Sequence, residues 1–260
     1  MELTGKTIVI TGASSGLGRG LALALSTRSN RLVVTARRGE LLETLAAEIR
    51  ANGSQALVRV NDATDSADCQ RVVDETVTHF GPIDLAVLNV GGSPGVVMGE
   101  TSVDTVLGLM RLNYDSLVNY LVPLIAVMRD RGGIIAHTSS PAGMFGLPKS
   151  GPYSAAKAAG RLLLDTCRIE LAHTPLRFVS LYPGFTATEG LKTEEVPSPR
   201  LIISKDRAVK EMLWAIERER SHHIFPKRIA WPIRLGRMLP EPMRRWVLQR
   251  AVPAAPSRTR

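Results

Sequence analysis

The sequence predicts an α/β fold: one domain on a doubly wound parallel sheet of about seven strands, with helices on both faces. Three observations predict it. Short apolar runs rich in β-branched residues alternate with stretches of helical periodicity. A glycine-rich turn joins the first run to the first helix. A chain of 260 residues, 44% hydrophobic and 22% charged, suits one domain with a large core.

The elements follow in order. Thr7-Ile8-Val9-Ile10 is a strand ending at Thr11-Gly12, and Gly16 to Arg28 is a helix with Leu17, Leu21, Ala24 and Leu25 at helical spacing. Arg31 to Thr35 is the second strand. Leu41 to Ala51 is a helix stopped by Asn52-Gly53. Ala56 to Val60 is the third strand, and Asp65 to Phe80 a helix with polar residues at its start. Ile83 to Leu88 is the fourth strand. Val103 to Met128 is helical, with Pro123 expected to kink or break it. Gly133 to His137, Leu176 to Leu181 and His223 to Phe225 complete the strands; Ser154 to Ala172 and Asp206 to Glu219 are the helices between them. Apolar strands separated by helices require right-handed crossovers and a sheet covered on both sides.

Composition excludes other classes. Cys69 and Cys167 are too few for a disulfide framework or a cysteine-rich metal site, and the histidines lack ligand spacing, so no metal is expected. No secretory signal and no run of about 18 apolar residues is visible, which predicts a cytoplasmic protein. The net charge of +9 is uneven. Residues 1–199 carry 18 Lys/Arg against 19 Asp/Glu, whereas residues 200–260 carry 15 against 5. Trp214, Trp231 and Trp246 all lie in the basic part.

The first strand runs into Thr11-Gly12-Ala13-Ser14-Ser15-Gly16-Leu17-Gly18. Glycines between a strand and a helix allow a tight turn and let backbone approach a pyrophosphate on the helix N-terminus. The spacing Thr-Gly-x3-Gly-x-Gly resembles the short-chain dehydrogenase/reductase family, whose fold is Rossmann-like. Further motifs of that family occur in order over about residues 4–226. Asp62 matches the acid that contacts the adenine ring. Asn89-Val90-Gly91-Gly92 stands where the family has Asn-Asn-Ala-Gly, with its middle two positions departing. Pro183-Gly184 and Thr188, with Thr186 between, match Pro-Gly-x3-Thr, which holds the nicotinamide carboxamide. The resemblance thus implies a dinucleotide site of Gly12, Ser14, Ser15, Gly16, Leu17, Gly18, Asp62, Asn89, Gly91, Pro183, Gly184, Thr186 and Thr188.

The second strand ends at Thr35-Ala36-Arg37-Arg38. An acid at this point binds a free ribose 2′-hydroxyl; two guanidinium groups instead suit a phosphate. NADP(H) is therefore the expected cofactor, with Arg37 on the 2′-phosphate and Arg38 as a second contact.

Tyr153 and Lys157 lie four apart at the start of a helical stretch, on one face. A free tyrosine with a pKa of about 10 is a poor acid at neutral pH, and a nearby ammonium lowers that value. Ser140 precedes Tyr153 by thirteen residues, a spacing that favours it over Ser139. The resemblance assigns Ser140, Tyr153 and Lys157 as the catalytic group and Asn113 as its fourth member. Tyr153 would give the proton to a carbonyl oxygen that Ser140 polarises. Lys157 would bind the nicotinamide ribose and lower the Tyr153 pKa, and Asn113 would hold a water linking Lys157 to solvent.

The resemblance also implies a substrate loop over about Thr188 to Ser204, expected to be a mobile lid. Residues 1–226 then form the catalytic domain, 227–250 a basic amphipathic extension and 251–260 a disordered tail. Leu235, Met238 and Leu239, then Met243, Trp246 and Val247, form two apolar stripes around Pro240-Glu241-Pro242, flanked by arginines. Docking on the body or another subunit and peripheral contact with a membrane are both open readings; nucleic acid is not expected. The expected activity is reduction of a ketone of an apolar or lipid-like substrate to a secondary alcohol. A reductase of a small polyol, sugar or steroid, and an NADP-binding sensor or scaffold, are the alternatives. The resemblance also implies a homo-oligomer, a dimer or tetramer.

Overall fold

The computed structural model describes residues 1–191, 196 and 198–251, without the side chains of Arg234, Arg237 and Ala251. The strands are β1 (Thr7–Thr11), β2 (Arg31–Ala36), β3 (Gln55–Val60), β4 (Leu85–Leu88), β5 (Gly133–Thr138), β6 (Leu176–Pro183) and β7 (His222–Phe225). They pair in parallel in the order β3-β2-β1-β4-β5-β6-β7. The direction of winding reverses between β1 and β4, which opens a crevice at the carboxyl ends of those strands.

The helices are α1 (Gly16–Ser26), α2 (Gly39–Ala51), α3 (Ser66–Phe80), α4 (Val103–Met110), α5 (Ser116–Met128), α6 (Gly151–Glu170), α7 (Lys205–Glu217), α8 (Lys227–Met238) and α9 (Glu241–Ala251). Strand side chains alternate between faces. Ile8 and Ile10 of β1 join Leu21, Leu45, Met212 and Ile216 of α1, α2 and α7 in one core. Val9 joins Val73, Tyr120, Leu124 and Leu164 of α3, α5 and α6 in the other. Both faces of the central strands are thus buried, as their near-continuous apolar runs require, while the edge strand β3 is only partly covered.

Two expectations are corrected. The fourth strand begins at Leu85, not Ile83. Asp84 instead ties together the amino ends of the central strands β1 and β4: its carboxylate accepts the Thr7 N–H at 2.9 Å and its own N–H donates to the Thr7 carbonyl at 2.9 Å. The segment from Val103 to Met128 is interrupted, but not at Pro123. A π turn at Arg111–Asp115 separates α4 from α5, while Pro123 lies buried inside α5. Residues 192–195 and 197 of the expected lid, and 252–260 of the expected tail, lie outside the described residues.

Candidate active site

The glycine turn is built by sterics. Gly12 and Gly16 have φ of +65° and +56°, the left-handed region that favours glycine. Gly18 has no such angle, but a Cβ there would overlap the Gly12 carbonyl oxygen and come 2.9 Å from Asn89 Nδ2. Its missing side chain lets the first turn of α1 lie against Gly12 and Asn89, just beyond the ends of β1 and β4. Thr11 Oγ1 ties the same corner by accepting the Asn89 N–H at 2.9 Å. Ser14 and Ser15 are held from the end of β2. Arg38 donates to Ser14 Oγ at 2.9 Å and to Ser15 Oγ at 2.6 Å. Arg37 is exposed nearby. Hydrogen bonds from the backbone and hydroxyl of Thr64, with the Arg37 charge adding, hold the Asp62 carboxyl below its usual range.

The catalytic candidates come together at the carboxyl end of β5. Ser140 caps the one-turn helix Pro141–Met144, its Oγ accepting the Ala142 N–H at 3.1 Å. That turn lies flat on α6: a Cβ at Gly143 would sit 2.8 Å from the Lys157 carbonyl carbon. Ser140 is thereby carried to Tyr153, with which it hydrogen-bonds. Lys157 is buried, with Nζ donating to the Thr138 carbonyl at 3.1 Å and standing 5.7 Å from the centre of the Tyr153 ring.

Burial pushes the Lys157 ammonium down to about 8. It also pushes the Tyr153 phenol above its ordinary value, with only the Ser140 hydrogen bond opposing it. The depression of Tyr153 expected from Lys157 is not met here. Burial dominates at the phenol, and Lys157 Nζ donates to the Thr138 carbonyl instead.

Asn113 lies in the π turn, buried. Its Nδ2 donates to the carbonyls of Gly92 at 2.9 Å and Leu109 at 3.0 Å, and its Oδ1 accepts the Gly92 N–H at 3.0 Å. Both amide donors are therefore committed to backbone, so the residue clamps the loop after β4. Gly91 leaves room for this: a Cβ there would sit 2.8 Å from Asn113 Oδ1 and 3.0 Å from Lys157 Nζ. The departure at Gly91 from the family pattern thus has a local cause.

Pro183 and Gly184 end β6, where the Gly184 N–H donates to the Phe225 carbonyl at 2.8 Å. Thr186 Oγ1 donates to the Gly184 carbonyl, and Thr188 Oγ1 to that of Thr186. This loop brings Thr188 and Glu189 over the glycine turn, and Glu189 Oε2 accepts the Gly16 N–H at 3.0 Å. Sequence reasoning missed Glu189, Gly143 and the Thr138 carbonyl. Gly143 had a signal, its place three residues after Ser140; the other two depend on tertiary contacts.

Residues 6–197 match the model of the short chain dehydrogenase family. An uncharacterized oxidoreductase of Myxococcus xanthus is 32% identical over 244 residues, covering 93% of this chain and 96% of its own. The 11-beta-hydroxysteroid dehydrogenase-like 2 of Arabidopsis thaliana is 29% identical over 92% of this chain and 80% of its own. A short-chain dehydrogenase/reductase of Burkholderia phymatum, solved in complex with NAD, superposes with a TM-score of 0.82 at 23% identity, over 91% of this chain and 94% of that one. The fold agrees with these likenesses, and the chain belongs to the short-chain dehydrogenase/reductase family of oxidoreductases.

Proposed function

We propose that this protein is an NADP(H)-dependent reductase that converts a ketone of an apolar, lipid-like substrate to a secondary alcohol. The observation that carries the reading is the convergence of Ser140, Tyr153 and Lys157 beside the crevice between β1 and β4. The fit to a dinucleotide rests on the cradle. Gly12, Gly16 and Gly18 clear side chains from the N-terminus of α1, where backbone N–H groups receive a pyrophosphate. Ser14, Ser15 and Leu17 line the same turn, while Asp62, Asn89 and Gly91 and the segment Pro183, Gly184, Thr186 and Thr188 complete the binding set. Arg37 and Arg38, after Ala36, give a phosphate on the ribose two guanidinium partners and a free diol no acceptor.

The cofactor, when bound, supplies a hydride to the carbonyl carbon. Tyr153 donates the proton that the carbonyl oxygen then requires. Ser140 hydrogen-bonds that oxygen and orients it. Lys157 holds a positive charge beneath the phenol, and Asn113 fixes the loop that Lys157 packs against. A steroid is the second reading, favoured by relatives named 11-beta-hydroxysteroid dehydrogenases. Exposed Val122 on α5 and Leu162 and Ile169 on α6 support a homo-oligomer paired through these helices.

The test is oxidation of NADPH and of NADH across long-chain 3-ketones, keto-steroids and sugar ketones. NADPH should be preferred and the long-chain ketone turned over fastest. Tyr153→Phe should lose nearly all turnover while still quenching on NADPH titration. Equal use of NADH would overturn the cofactor assignment, and an active Tyr153→Phe would overturn the acid.

A further inference from the structure

We infer that α8 and α9 form a docking surface for an anionic lipid bilayer. The inference stands apart from the identity of the substrate. The two faces of α8 separate cleanly. Ile229, Ala230, Ile233 and Gly236 recur at helical spacing and turn toward the body, where Ala230 is buried and the others half-buried. Trp231, Leu235 and Met238 recur at i, i+4 and i+7 on the opposite side. They are 72%, 61% and 82% exposed. One side of α8 thus docks on the body, and the apolar stripe is left over on the other. Helix α9 repeats the arrangement: Met243, Trp246 and Val247 are exposed on one side, with Arg244 and Leu248 partly covered on another.

Charge selects the occupant. Residues 227–251 carry seven lysines and arginines against the single acid Glu241. Lys227, Arg228, Arg245 and Arg250 are exposed, and the Arg250 guanidinium lies 3.9 Å from the centre of the Trp246 ring. A two-fold contact between copies would set this cationic stripe against itself, and like charges oppose it. An anionic bilayer matches both features. Tryptophans settle at the headgroup level, while arginines reach the phosphates with their stems along apolar surface. Among the described residues no helix is long and apolar enough to cross a membrane, so contact is peripheral. The surface adjoins the site: a Cβ on Gly236 would meet the Phe145 ring at 3.3 Å, just beyond the turn that begins with Ser140.

The experiment is co-sedimentation of the full chain with phosphatidylcholine vesicles, with and without phosphatidylserine. Binding should require phosphatidylserine and weaken when salt rises to about 0.5 M. Trp231→Ser with Trp246→Ser should reduce partition about tenfold or more. Circular dichroism, thermal midpoint and NADPH binding of that variant should match the parent. Because Trp231 and Trp246 are already exposed, folding does not depend on them. No sedimentation with anionic vesicles would overturn the proposal. So would partition unchanged in the double variant, or a double variant whose only effect is a smaller mass in gel filtration, which would assign the stripe to a second copy.

Discussion

Ile229 of α8 packs into the space that Gly184 leaves by having no side chain. A Cβ on Gly184 would overlap Ile229 Cδ1 and stand 3.3 Å from the Phe225 carbonyl oxygen. The basic extension is therefore built against the loop after β6 that belongs to the candidate cofactor site. Gly184→Ala should cost about 1–2 kcal/mol of stability by overpacking. Ile229→Val removes the overlapping methyl and should recover most of that loss in the double variant. Urea unfolding of the four proteins of this cycle reads the coupling directly. Additive effects would separate the extension from the loop.

In the proposed reaction, Lys157 should set a pH limit on reduction. Its ammonium loses the proton as pH rises through about 8, well below the ordinary lysine range, because it is buried. The charge is present below that pH and absent above it. The kcat/KM for ketone reduction should be level below about pH 8 and then fall about tenfold per unit. Lys157→Arg should lose the break in whatever activity remains, since guanidinium stays charged. The measurement is a pH–rate profile of both proteins; an identical break in each would place the titration on another group.

Glu189 occupies the place where the helix N-terminus attracts anions. Hydrogen bonds from its own backbone N–H and from that of Gly16, with Lys205 and Arg19 nearby, hold its carboxyl below the usual range against partial burial. An incoming pyrophosphate competes with that carboxylate for the Gly16 N–H. Glu189→Ala should therefore tighten NADPH binding several-fold in a fluorescence titration. Weaker binding would instead make Glu189 part of the dinucleotide seat.

His137 of β5 should make the fold acid-sensitive. Neither ring nitrogen has a hydrogen-bond partner among the described residues. Burial, then the charges of Lys157 and Arg168, drive its pKa well below the ordinary imidazole value. The folded chain keeps this ring neutral, whereas the unfolded chain takes up a proton below about pH 6.5. Stability is thus lost as pH falls from there, by about 1.4 kcal/mol per unit. His137→Leu should show a shallower loss between about pH 7 and pH 5 in denaturant titrations. Equal slopes would mean that carboxylates alone account for the acid limit.

Much of this was legible in the sequence, for reasons that differ by element. The strands through Ile8–Ile10 and Val33–Val34 were readable because burial on both faces leaves continuous apolar runs. The glycine turn was readable because Gly12 and Gly16 meet a backbone demand that other residues resist. That Ser140, Tyr153 and Lys157 lie near one another was expected from the resemblance, and one helix and one capped turn bring them together. The π turn was not: Pro123 is a strong local signal, but it sits inside a packed helix, while the break arises where Asn113 bonds to Gly92. The contact of Glu189 with Gly16 joins residues 173 positions apart, and no local pattern announces it. The lysine's effect on Tyr153 failed for a similar reason, because spacing gives proximity but not solvation.

The π turn has a consequence for how this site tolerates change. Each residue of an α-helix rotates the chain by about 100°. The turn at Arg111–Asp115 lets Leu109 before it and Leu117 after it both reach the core, with Asn113 between them aimed at Gly92. Deleting one residue there would leave both leucines facing the core, because seven residues of plain α-helix return to within about 20° of the starting face, but it would remove the bulge that turns Asn113 toward Gly92. The location of Asn113 is thus written as a count of residues rather than as a choice among them. Between Leu109 and Leu117, a change of chain length would remove the clamp on Gly92 more surely than most exchanges of side chain.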